Sequence, residues 1–390
     1  MPCPDDASPS RRRFLKRTAL GAAGAALWPG AACASPQQDE RASGREGRLP
    51  EGLPPEEQLG IALVGLGNYA TGQLAPALQE TRRCHLSAIV TGTPRKAKAW
   101  QKKYDLSEAH TYDYETFDQL AGDDAVDIVY VVLPNGMHAE YTVRAAEAGK
   151  HVICEKPMAT SVAEGERMIG ACDEAGVKLS IGYRLHFQPH HRRVMEWGQE
   201  RVFGPVERMN NGFAFPIGSP EGNPAVQWRL DKAMAGGGAL MDVGIYAVQA
   251  ARYTTGEEPV AVTAEEFKEH PQKFDEVDET IHFELEFPGG AVGKGRTSYS
   301  DSYNRLRAEA ADGWMELEPA YGYGGVDGRT HRGPMQIENV NQQARQMDAF
   351  AACIQEGRAS RVPGEEGLRD MKVIEAIYDS IDAGQRVQIS

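Results

Sequence analysis

A lysine, an aspartate and a tyrosine give this sequence the means to move a proton. Asp242 and Tyr246 follow a glycine-rich turn at 236–238 and stand four residues apart, so a helix would place both on one face. Lys156 comes shortly after an apolar run at 152–154. A lysine close to a tyrosine stabilises the phenolate and relays its proton, which suits proton removal from a hydroxyl as hydride leaves the same carbon. The alternative is an amphipathic helix with a core tyrosine.

A second glycine-rich turn marks the place where a dinucleotide would bind. The segment Gly65-Leu66-Gly67-Asn68-Tyr69-Ala70 follows the apolar run 61–64 and opens a helical pattern. A turn in this position presents free backbone N–H groups at a helix N-terminus, where they can hold a pyrophosphate. A plain strand-to-helix turn is the alternative. The motif assigns to cofactor binding Gly65, Gly67, Asn68, Tyr69 and Ala70.

The end of the next predicted strand favours one dinucleotide over another. NAD enzymes usually carry a carboxylate there for the ribose hydroxyls, but this chain continues as Thr91-Gly92-Thr93-Pro94-Arg95-Lys96. The hydroxyl of Thr91 and the cations of Arg95 and Lys96 suit an adenosine 2′-phosphate, so the sequence favours NADP. The alternative is that both cations belong to the surface of a first helical turn.

Two further strand ends contribute polar residues to the same region. Ligands of open α/β folds bind at the carboxyl ends of the strands, and these two ends lie there. We therefore predict that the cofactor site includes Leu133, Pro134, Asn135, His138, Glu155 and Lys156.

These motifs require strands and helices that alternate along the chain. Strand-like runs occur at 61–64, 86–90, 126–133 and 151–154. Helical patterns lie between and after them, at 94–104, 138–148 and 162–175. Since parallel strands need crossover connections, we predict an α/β fold whose N-terminal Rossmann domain, 59–181, is a doubly wound parallel sheet.

The second half of the chain has a different pattern. Longer strand-like stretches occur at 260–267, 280–287, 291–300 and 305–310. An amphipathic helix is predicted at 365–383. Residues 182–390 are therefore predicted to form an α+β substrate and oligomerisation domain with a large, mostly antiparallel sheet.

The first 34 residues resemble an export signal. Ser10-Arg11-Arg12-Arg13-Phe14-Leu15-Lys16 is a twin-arginine pattern, and an apolar run at 18–28 and Ala32-Cys33-Ala34 follow in signal-peptide order. The run is shorter than the roughly 20 apolar residues of a permanent membrane span. We predict periplasmic export by the twin-arginine route, with 1–34 as the signal and 35–58 as an extended arm or linker. A basic disordered arm, or lipid attachment at Cys33, is the alternative.

Composition argues against several classes of partner. The 390 residues are 41% hydrophobic and 25% charged, with a formal net charge of -14, which does not suit a protein that holds nucleic acid. No C-x-x-C spacing occurs, so no metal site is predicted, and His190-His191 is interpreted as a solvated pair. An exposed face on an antiparallel sheet commonly contacts a partner, and we expect a homodimer or homotetramer.

The motifs together resemble those of a known family. Glu155-Lys156-Pro157 after a doubly wound sheet, with Asp242-x-Gly244-x-Tyr246, resembles the Gfo/Idh/MocA oxidoreductase family. Many members have histidine where Tyr246 stands. Tyrosine there, with the segments 181–187, 227–230 and 238–242, is similar to the glucose-fructose oxidoreductases of that family. The resemblance covers nearly all of the chain after the signal.

The resemblance implies a role for each matching residue. Lys156 and Tyr246 would handle the proton, and Asp242 would orient a sugar. Thr91 and Lys96 would hold the 2′-phosphate of the cofactor, and Tyr114 would contact its adenine side. The residues implied to close over the cofactor are Arg184, Trp228, Arg229 and Tyr323. The peptide bond between Lys156 and Pro157 would be cis.

The resemblance also implies a reaction. In the glucose-fructose members, a tightly held NADP takes hydride from glucose and gives it to fructose, which suits an exported enzyme that must keep its cofactor. We therefore expect oxidation of an aldose at its anomeric carbon to the lactone, with hydride passed to a second sugar such as fructose. The segments 213–226 and 324–335 depart from the family pattern, so the sugars stay open. The alternatives are an ordinary NADP-dependent sugar or diol dehydrogenase that releases NADPH, and a non-catalytic dinucleotide-dependent sensor.

Overall fold

The computed structural model describes residues 52–389. The predicted signal at 1–34 and the predicted arm as far as residue 51 lie outside the described residues. The last residues of the arm contact the body of the protein: the Leu53 N–H donates to the Arg82 carbonyl at 2.9 Å, and Gln355 Nε2 donates to the Glu57 carbonyl at 3.0 Å.

Strands and helices alternate in the first half of the described chain, and strands dominate the second. The strands are β1 (Leu59–Val64), β2 (Cys84–Val90), β3 (Thr111–Tyr112), β4 (Ile128–Val131), β5 (His151–Cys154), β6 (Leu179–Ile181), β7 (Val206–Ala214), β8 (Ala261–Phe267), β9 (Thr280–Glu286), β10 (Val292–Ser298), β11 (Tyr303–Ala310), β12 (Gly313–Leu317), β13 (Gly328–Thr330), β14 (Gly333–Pro334) and β15 (Val387–Gln388). The α-helices are α1 (Ala75–Ala77), α2 (Pro94–Tyr104), α3 (His138–Glu147), α4 (Val162–Ala175), α5 (Pro189–Gln199), α6 (Pro224–Leu230), α7 (Lys232–Ala235), α8 (Ile245–Thr255), α9 (Gln342–Gln355) and α10 (Gly364–Ala383). Short 3₁₀ turns lie at Pro55–Glu57, Glu108–His110, Phe117–Gly122, Asn135–Met137 and Arg184–Phe187.

The first six strands form one parallel sheet in the order β3-β2-β1-β4-β5-β6. β1 lies beside β2 and β4, so Val64 is opposite Val90 on one side and Val131 on the other. This is the order of a dinucleotide-binding doubly wound sheet, in which a ligand binds beside the carboxyl ends of the strands where the order reverses. The predicted fold class is confirmed.

Helices with strong local start and stop signals lie where the sequence predicts them. α2 begins at Pro94, since proline at the first helical position lacks an N–H that would have no partner there. It ends before Asp105, which adopts the left-handed conformation with φ 53°. α4 begins after Ser161, whose side chain accepts from the Glu164 N–H, and ends at Gly176 with φ 66°.

The second sheet has nine strands in the order β14-β13-β12-β11-β7-β10-β9-β8-β15. Its pairs are antiparallel except β7 with β10, which is parallel. α8 packs against β7 and β10, and α10 packs against β8, so these helices cover one face of the sheet. The sequence does not predict β7, because its mixed pattern VERMNNGFA lacks a continuous apolar run.

Two helical segments differ from the predicted regular helices. Residues Ala70–Leu74 and Leu240–Gly244 form π-helical turns, each followed by α-helix. Directly after the first of these turns, Pro76 has no N–H to donate to the preceding turn, which disfavours the regular hydrogen-bond spacing. In the second, Gly244 lies so close to Leu240 and Thr297 that a Cβ would be 2.9 and 3.0 Å from them. Such turns occur frequently at functional sites.

The interpretation of His190 and His191 as a solvated pair is wrong. The two residues are 2% and 0% exposed. His191 Nδ1 lies 2.6 Å from the Tyr253 hydroxyl, and its Nε2 lies 2.8 Å from the Ala320 carbonyl. The physical reason is that α5 packs against α8, which turns this end of α5 into the interior.

Four cysteines lie within residues 52–389. Cys84, Cys154, Cys172 and Cys353 are buried free thiols. Across this part of the chain, no group of three or more His, Cys, Asp or Glu side chains has an arrangement that could hold a metal ion. None of its helices combines the length and the apolar character needed to cross a membrane.

Candidate active site

A cavity of about 940 Å³ lies at the carboxyl edge of the parallel sheet. The ends of β1, β2, β4 and β5 form one side of it, and α6, the second π-helical turn and Tyr323 form the other. The predicted site residues that line it are Gly65, Gly67, Asn68, Tyr69, Thr91, Lys96, Tyr114, Leu133, Pro134, Asn135, His138, Glu155, Lys156, Trp228, Arg229, Asp242, Tyr246 and Tyr323. Ala70 and Arg184 lie behind its wall.

The glycine-rich turn after β1 has the shape that a pyrophosphate requires. Gly65 has φ +94°, and a Cβ there would lie 2.5 Å from the Val132 carbonyl oxygen, so only glycine fits. At Gly67 a Cβ would meet nothing within 4 Å, and this open side belongs to the cavity wall. Ala70 is fully buried beneath the turn, where it packs in the core instead of lining the cavity. The residues present therefore fit a dinucleotide whose phosphates lie against the turn.

The region after β2 carries a hydroxyl and a cation close to the turn. Thr91 is 6% exposed, and its Oγ1 accepts from the Thr93 N–H at 3.3 Å. Lys96 Nζ donates to the Leu66 carbonyl at 3.0 Å, so its charge lies next to the glycine-rich turn. Tyr114 packs over Gly92, where a Cβ would be 3.1 Å from the tyrosine ring. The acidic residues of the cavity wall, Glu155 and Asp242, belong to the β5 and π-turn regions, and neither follows β2.

Asn135 and His138 use their polar atoms to hold the cavity wall together. Asn135 Nδ2 donates to the Ala235 carbonyl at 2.8 Å. The two ring nitrogens of His138 lie 2.8 Å from the carbonyls of Leu133 and Pro157. Burial lowers the pKa of His138, although both carbonyls favour the protonated ring, so the neutral imidazole donates to one carbonyl at a time. The peptide bond between Lys156 and Pro157 is cis, as predicted.

The structure brings Lys156, Asp242 and Tyr246 together. Lys156 Nζ donates to the Asp242 carbonyl at 2.5 Å and lies 3.4 Å from Asp242 Oδ1. The same nitrogen lies 4.8 Å from the centroid of the Tyr246 ring. Lys156 comes from the end of β5, whereas Asp242 lies in the π-helical turn and Tyr246 in α8. The predicted acid-base group is therefore assembled across the two halves of the chain.

Asp242 is held ionised by its neighbours. Its Oδ2 accepts from Arg229 Nε at 2.9 Å and from the Tyr299 hydroxyl at 3.0 Å. Burial alone would raise the pKa of Asp242, but the charges of Arg229 and Lys156 outweigh burial and hold it well below its usual range. Burial and Asp242 raise the pKa of Tyr299 well above its ordinary value, so Tyr299 stays a hydrogen-bond donor.

Aromatic side chains pack against the ring of Tyr246 and hold it in place. It is 6% exposed, and its ring centroid lies 5.7 Å from those of Phe213 and Tyr321. The guanidinium carbon of Arg184 lies 5.1 Å from the same centroid. The cations of Lys156 and Arg184 therefore both lie close to the Tyr246 ring.

Arg184 contacts two tyrosines that line the cavity, Tyr246 and Tyr323. It is 2% exposed, and it donates to the Tyr321 carbonyl and to Gln342 Oε1, both at 2.6 Å. Its guanidinium carbon also lies 4.7 Å from the ring centroid of Tyr323, which is 49% exposed. Tyr323 in turn lies 5.6 Å from the Tyr69 ring. This pair links the glycine-rich turn after β1 to the second half of the chain within the cavity wall.

Glu155 is a buried carboxylate, and the sequence does not reveal its hydrogen-bond partners. Its Oε1 accepts from the Tyr130 hydroxyl at 2.7 Å, and that hydroxyl accepts from Gln346 Nε2 at 2.9 Å. Burial raises the pKa of Glu155, while the hydrogen bond from Tyr130 and the charge of Lys156 oppose that rise. A Cβ on Gly182 would lie 2.7 Å from the carboxylate, which explains the glycine there.

Sequence reasoning missed several residues of this site. The additional lining residues are Leu66, Gln73, Gly92, Thr93, Val132, Asn223, Pro224 and Ala225. Tyr299 and Tyr130 also contact the acidic residues directly. Gln73 and Thr93 lie beside recognised motifs, and that proximity was an available signal. No local pattern identifies Tyr299 or Tyr130, because each reaches its partner only through the fold.

Comparison with known proteins agrees with this architecture along most of the chain. Residues 59–183 match the oxidoreductase family with an NAD-binding Rossmann fold, residues 191–316 match the GFO/IDH/MocA C-terminal domain, and residues 326–389 match the oxidoreductase family C-terminal alpha/beta domain. The chain belongs to the Gfo/Idh/MocA oxidoreductase family. The resemblance predicted from the motifs is confirmed.

Among Gfo/Idh/MocA proteins, the chain is similar to sugar enzymes. It is 31% identical over 338 residues to the D-xylose 1-dehydrogenase [NADP(+)] of Haloarcula marismortui, covering 84% of this chain and 92% of that protein. It is 25% identical to the 1,5-anhydro-D-fructose reductase of Ensifer adhaerens, covering 84% of this chain and 97% of that protein. The crystal structure of aldose-aldose oxidoreductase from Caulobacter crescentus, complexed with glycerol, matches with a TM-score of 0.82 and 45% identity, covering 85% of this chain and 99% of that one.

Proposed function

We propose that this protein is an NADP-dependent sugar oxidoreductase that oxidises an aldose at the anomeric carbon to the lactone and passes the hydride to a second sugar. The observation that carries the proposal is that Lys156, Asp242 and Tyr246 lie together in the cavity that the glycine-rich turn after β1 also lines. The similarity to D-xylose 1-dehydrogenase [NADP(+)] and to aldose-aldose oxidoreductase supports a sugar as the substrate.

The choice of NADP rests on the residues after β2. Thr91 and Lys96 supply a hydroxyl and a cation beside the cavity, where an NAD enzyme would carry a carboxylate. The name of the D-xylose 1-dehydrogenase relative, which includes NADP(+), points the same way. On this proposal the exposed Lys96 side chain would contact the 2′-phosphate in place of the Leu66 carbonyl.

The chemistry that follows assigns one task to each residue. Tyr246 takes the proton of the anomeric hydroxyl as the C1 hydrogen leaves as hydride, and Lys156 stabilises the phenolate that forms. Asp242, which is ionised, accepts a hydrogen bond from another sugar hydroxyl and so orients the ring. NADP, when bound, supplies the hydride acceptor. For the second sugar, Tyr246 returns the proton to the carbonyl oxygen, so one hydride and one proton lost by the first sugar are gained by the second.

Transfer to a second sugar requires that the cofactor stay bound between the two half-reactions. The Tyr69 and Tyr323 rings, which both line the cavity, lie 5.6 Å apart. Arg229 ties α6 to Asp242, and its guanidinium carbon lies 4.3 Å from the Trp228 ring centroid. These contacts come from both halves of the chain and support retention of the cofactor. An ordinary dehydrogenase that releases NADPH is the competing function.

A release assay separates the two functions. The purified protein is denatured, and the nucleotide in the supernatant is identified by mass spectrometry and counted. We expect about one NADP per chain, reduction of the bound nucleotide by an aldose in a single turnover, and reoxidation when fructose or a second aldose is added. Protein that is free of nucleotide and accumulates NADPH when NADP is added would favour the ordinary dehydrogenase. Failure of every aldose to reduce the bound nucleotide would contradict both.

We also propose that the enzyme is periplasmic and exported by the twin-arginine route. The support is the order of the arginine pattern, the apolar run and the small-residue cleavage site within residues 10–34. An enzyme that folds around its cofactor before export needs no supply of NADP at its destination.

We further propose a homodimer or homotetramer formed through the uncovered face of the nine-stranded sheet. Phe267 is 43% exposed on this face and lies 5.0 Å from the His282 ring. We therefore choose Phe267 as the position at which a substitution tests whether this face forms the contact between copies. Sedimentation at micromolar concentration should show a dimer or tetramer, and Phe267→Glu should shift it towards monomer. Only monomer in the unaltered protein would contradict the proposal.

A further inference from the structure

The glycine-rich turn before Asp242 is held by a pair of residues far away in sequence. Asp278 is 4% exposed, and its Oδ1 accepts from the Gly238 N–H at 2.6 Å while its Oδ2 accepts from the Leu240 N–H at 2.8 Å. The Tyr378 hydroxyl, on α10, donates to Oδ1 at 2.6 Å. Asp278 and Tyr378, which we call the clamp, therefore bind the start of the helical segment that carries Asp242.

The clamp explains why the turn consists of glycines. A Cβ on Gly237 would lie 2.1 Å from the Tyr378 hydroxyl, and a Cβ on Gly238 would lie 1.9 Å from the Asp278 carbonyl oxygen. Neither contact leaves room for a side chain. The backbone of the turn can approach the clamp this closely only because both residues lack a Cβ.

We propose that Asp278 and Tyr378 are positioning residues for hydride transfer. They fix the π-helical turn so that Asp242 and Tyr246 meet Lys156, which is anchored separately at the end of β5. This inference rests on the proposed function, since it assumes that those three side chains carry the reaction.

The geometry makes the reaction sensitive to the clamp. Leu240 begins the π-helical turn, Asp242 is its third residue, and Tyr246 lies one turn further along the same helical segment. Lys156 Nζ contacts the Asp242 carbonyl at 2.5 Å, so a shift of the turn changes the distance between groups on separate elements. Active-site groups must be held within roughly 0.5 Å, and a 1 Å displacement can slow a reaction by about 10²-fold.

Two conservative substitutions test the clamp. Asp278→Asn keeps the shape but replaces one acceptor oxygen by an amide nitrogen, which then faces a backbone N–H. Tyr378→Phe removes the hydroxyl alone, and it keeps the proposal testable if Asp278→Asn fails to fold. We expect single-turnover hydride transfer to slow by about tenfold or more in Asp278→Asn and by a smaller factor in Tyr378→Phe, with the bound nucleotide retained.

The chain offers a matched control for each substitution. Asp348 is also buried and accepts from two backbone N–H groups, those of Arg82 and Arg83, at 2.8 Å each. The Tyr112 hydroxyl donates to Asp123 Oδ2 at 2.8 Å. Neither Asp348 nor Tyr112 lines the cavity. Asp348→Asn and Tyr112→Phe should lower thermal stability about as much as the clamp variants do. Their hydride-transfer rates should stay within about twofold of that of the unaltered protein.

A double-mutant cycle with Tyr246→Phe distinguishes positioning from a general effect on stability. If the clamp acts through Asp242 and Tyr246, Asp278→Asn should slow transfer much less in the Tyr246→Phe background than in the unaltered protein. If Asp278→Asn slows transfer equally in both backgrounds, or no more than Asp348→Asn does, the proposed positioning role of the clamp is wrong. A Tyr246→Phe variant with the unaltered rate would instead contradict the proposed function itself.

Discussion

Replacing Tyr246 by phenylalanine removes one oxygen from the proposed acid-base group and leaves its surroundings in place. The packing contacts of the residue involve its ring: Phe213 and Tyr321 lie 5.7 Å away between centroids, and Lys156 Nζ lies 4.8 Å from the ring centroid. Phenylalanine keeps all three contacts, because the two side chains share nearly the same shape. We therefore expect the free energy of unfolding to change by no more than about 1 kcal/mol.

The reaction should be affected far more than the fold. A positioned acid or base contributes about 10²- to 10⁴-fold to a rate, and each factor of ten corresponds to about 1.36 kcal/mol of activation free energy. The loss of the Tyr246 hydroxyl should therefore raise the barrier by about 3 to 5 kcal/mol. The expected signature is a rate that falls by orders of magnitude in a protein whose stability and bound nucleotide are almost unchanged.

The assay is a single turnover with an aldose, followed by the absorbance of the reduced nicotinamide. Tyr321→Phe is the matched control, because Tyr321 packs against Tyr246, is 1% exposed and lies outside the cavity wall. Tyr321→Phe should retain a rate close to that of the unaltered enzyme. If Tyr246→Phe transfers hydride at the unaltered rate, Tyr246 does not move the proton and the mechanism is wrong.

Three other predictions concern the cofactor, the interior and export. Lys96→Ala should weaken NADP binding by about 10- to 100-fold and NAD binding much less, since it removes a charge-assisted contact to the 2′-phosphate; equal losses for both nucleotides in a binding titration would contradict this. Burial lowers the pKa of His191 to about 3, below its usual value near 6.5, so the neutral ring favours folding above about pH 6.5 and that stability is lost as the pH falls. His191 should contribute about 2 kcal/mol to this loss by about pH 5, measured in chemical unfolding experiments as the difference between the unaltered protein and His191→Gln, and an equally steep loss in both would show that other groups are responsible. Arg11→Lys combined with Arg12→Lys should leave active enzyme in the cytoplasm, and unchanged export in cell fractionation would refute the twin-arginine assignment.

Sequence reasoning succeeded where a motif acts through its own local geometry. The turn at Gly65 and Gly67 is recognisable because strand, glycines and helix follow one another within a few residues. The parallel direction of the strands likewise follows from alternation, since parallel strands need crossover connections. The absence of a carboxylate after Val90 is also a local fact, and it pointed to NADP before any contact was known.

Reasoning from the sequence failed where burial or close packing changed the meaning of a pattern. The pair His190-His191 is polar in any hydropathy count, yet α5 packs against α8 and encloses it. A helix was predicted after the glycine-rich turn at 236–238, but its first residues, Leu240–Gly244, form a π-helical turn with close packing at Gly244. Strand β7 has no regular alternation of polar and apolar residues, and only its pairing with β10 and β11 identifies it as a strand.

The sequence by itself determined the family, the fold class and most of the residues around the cavity, because short motifs place those residues at strand ends that a parallel sheet must bring together. Only the tertiary structure decided how the charges at the site are balanced. Asp242 meets Arg229 and Tyr299, which lie 13 and 57 residues away, and Asp278 meets Tyr378 across 100 residues. The physical reason is that such contacts depend on how the second sheet and its helices pack against the first, and neither spacing nor composition encodes that packing locally.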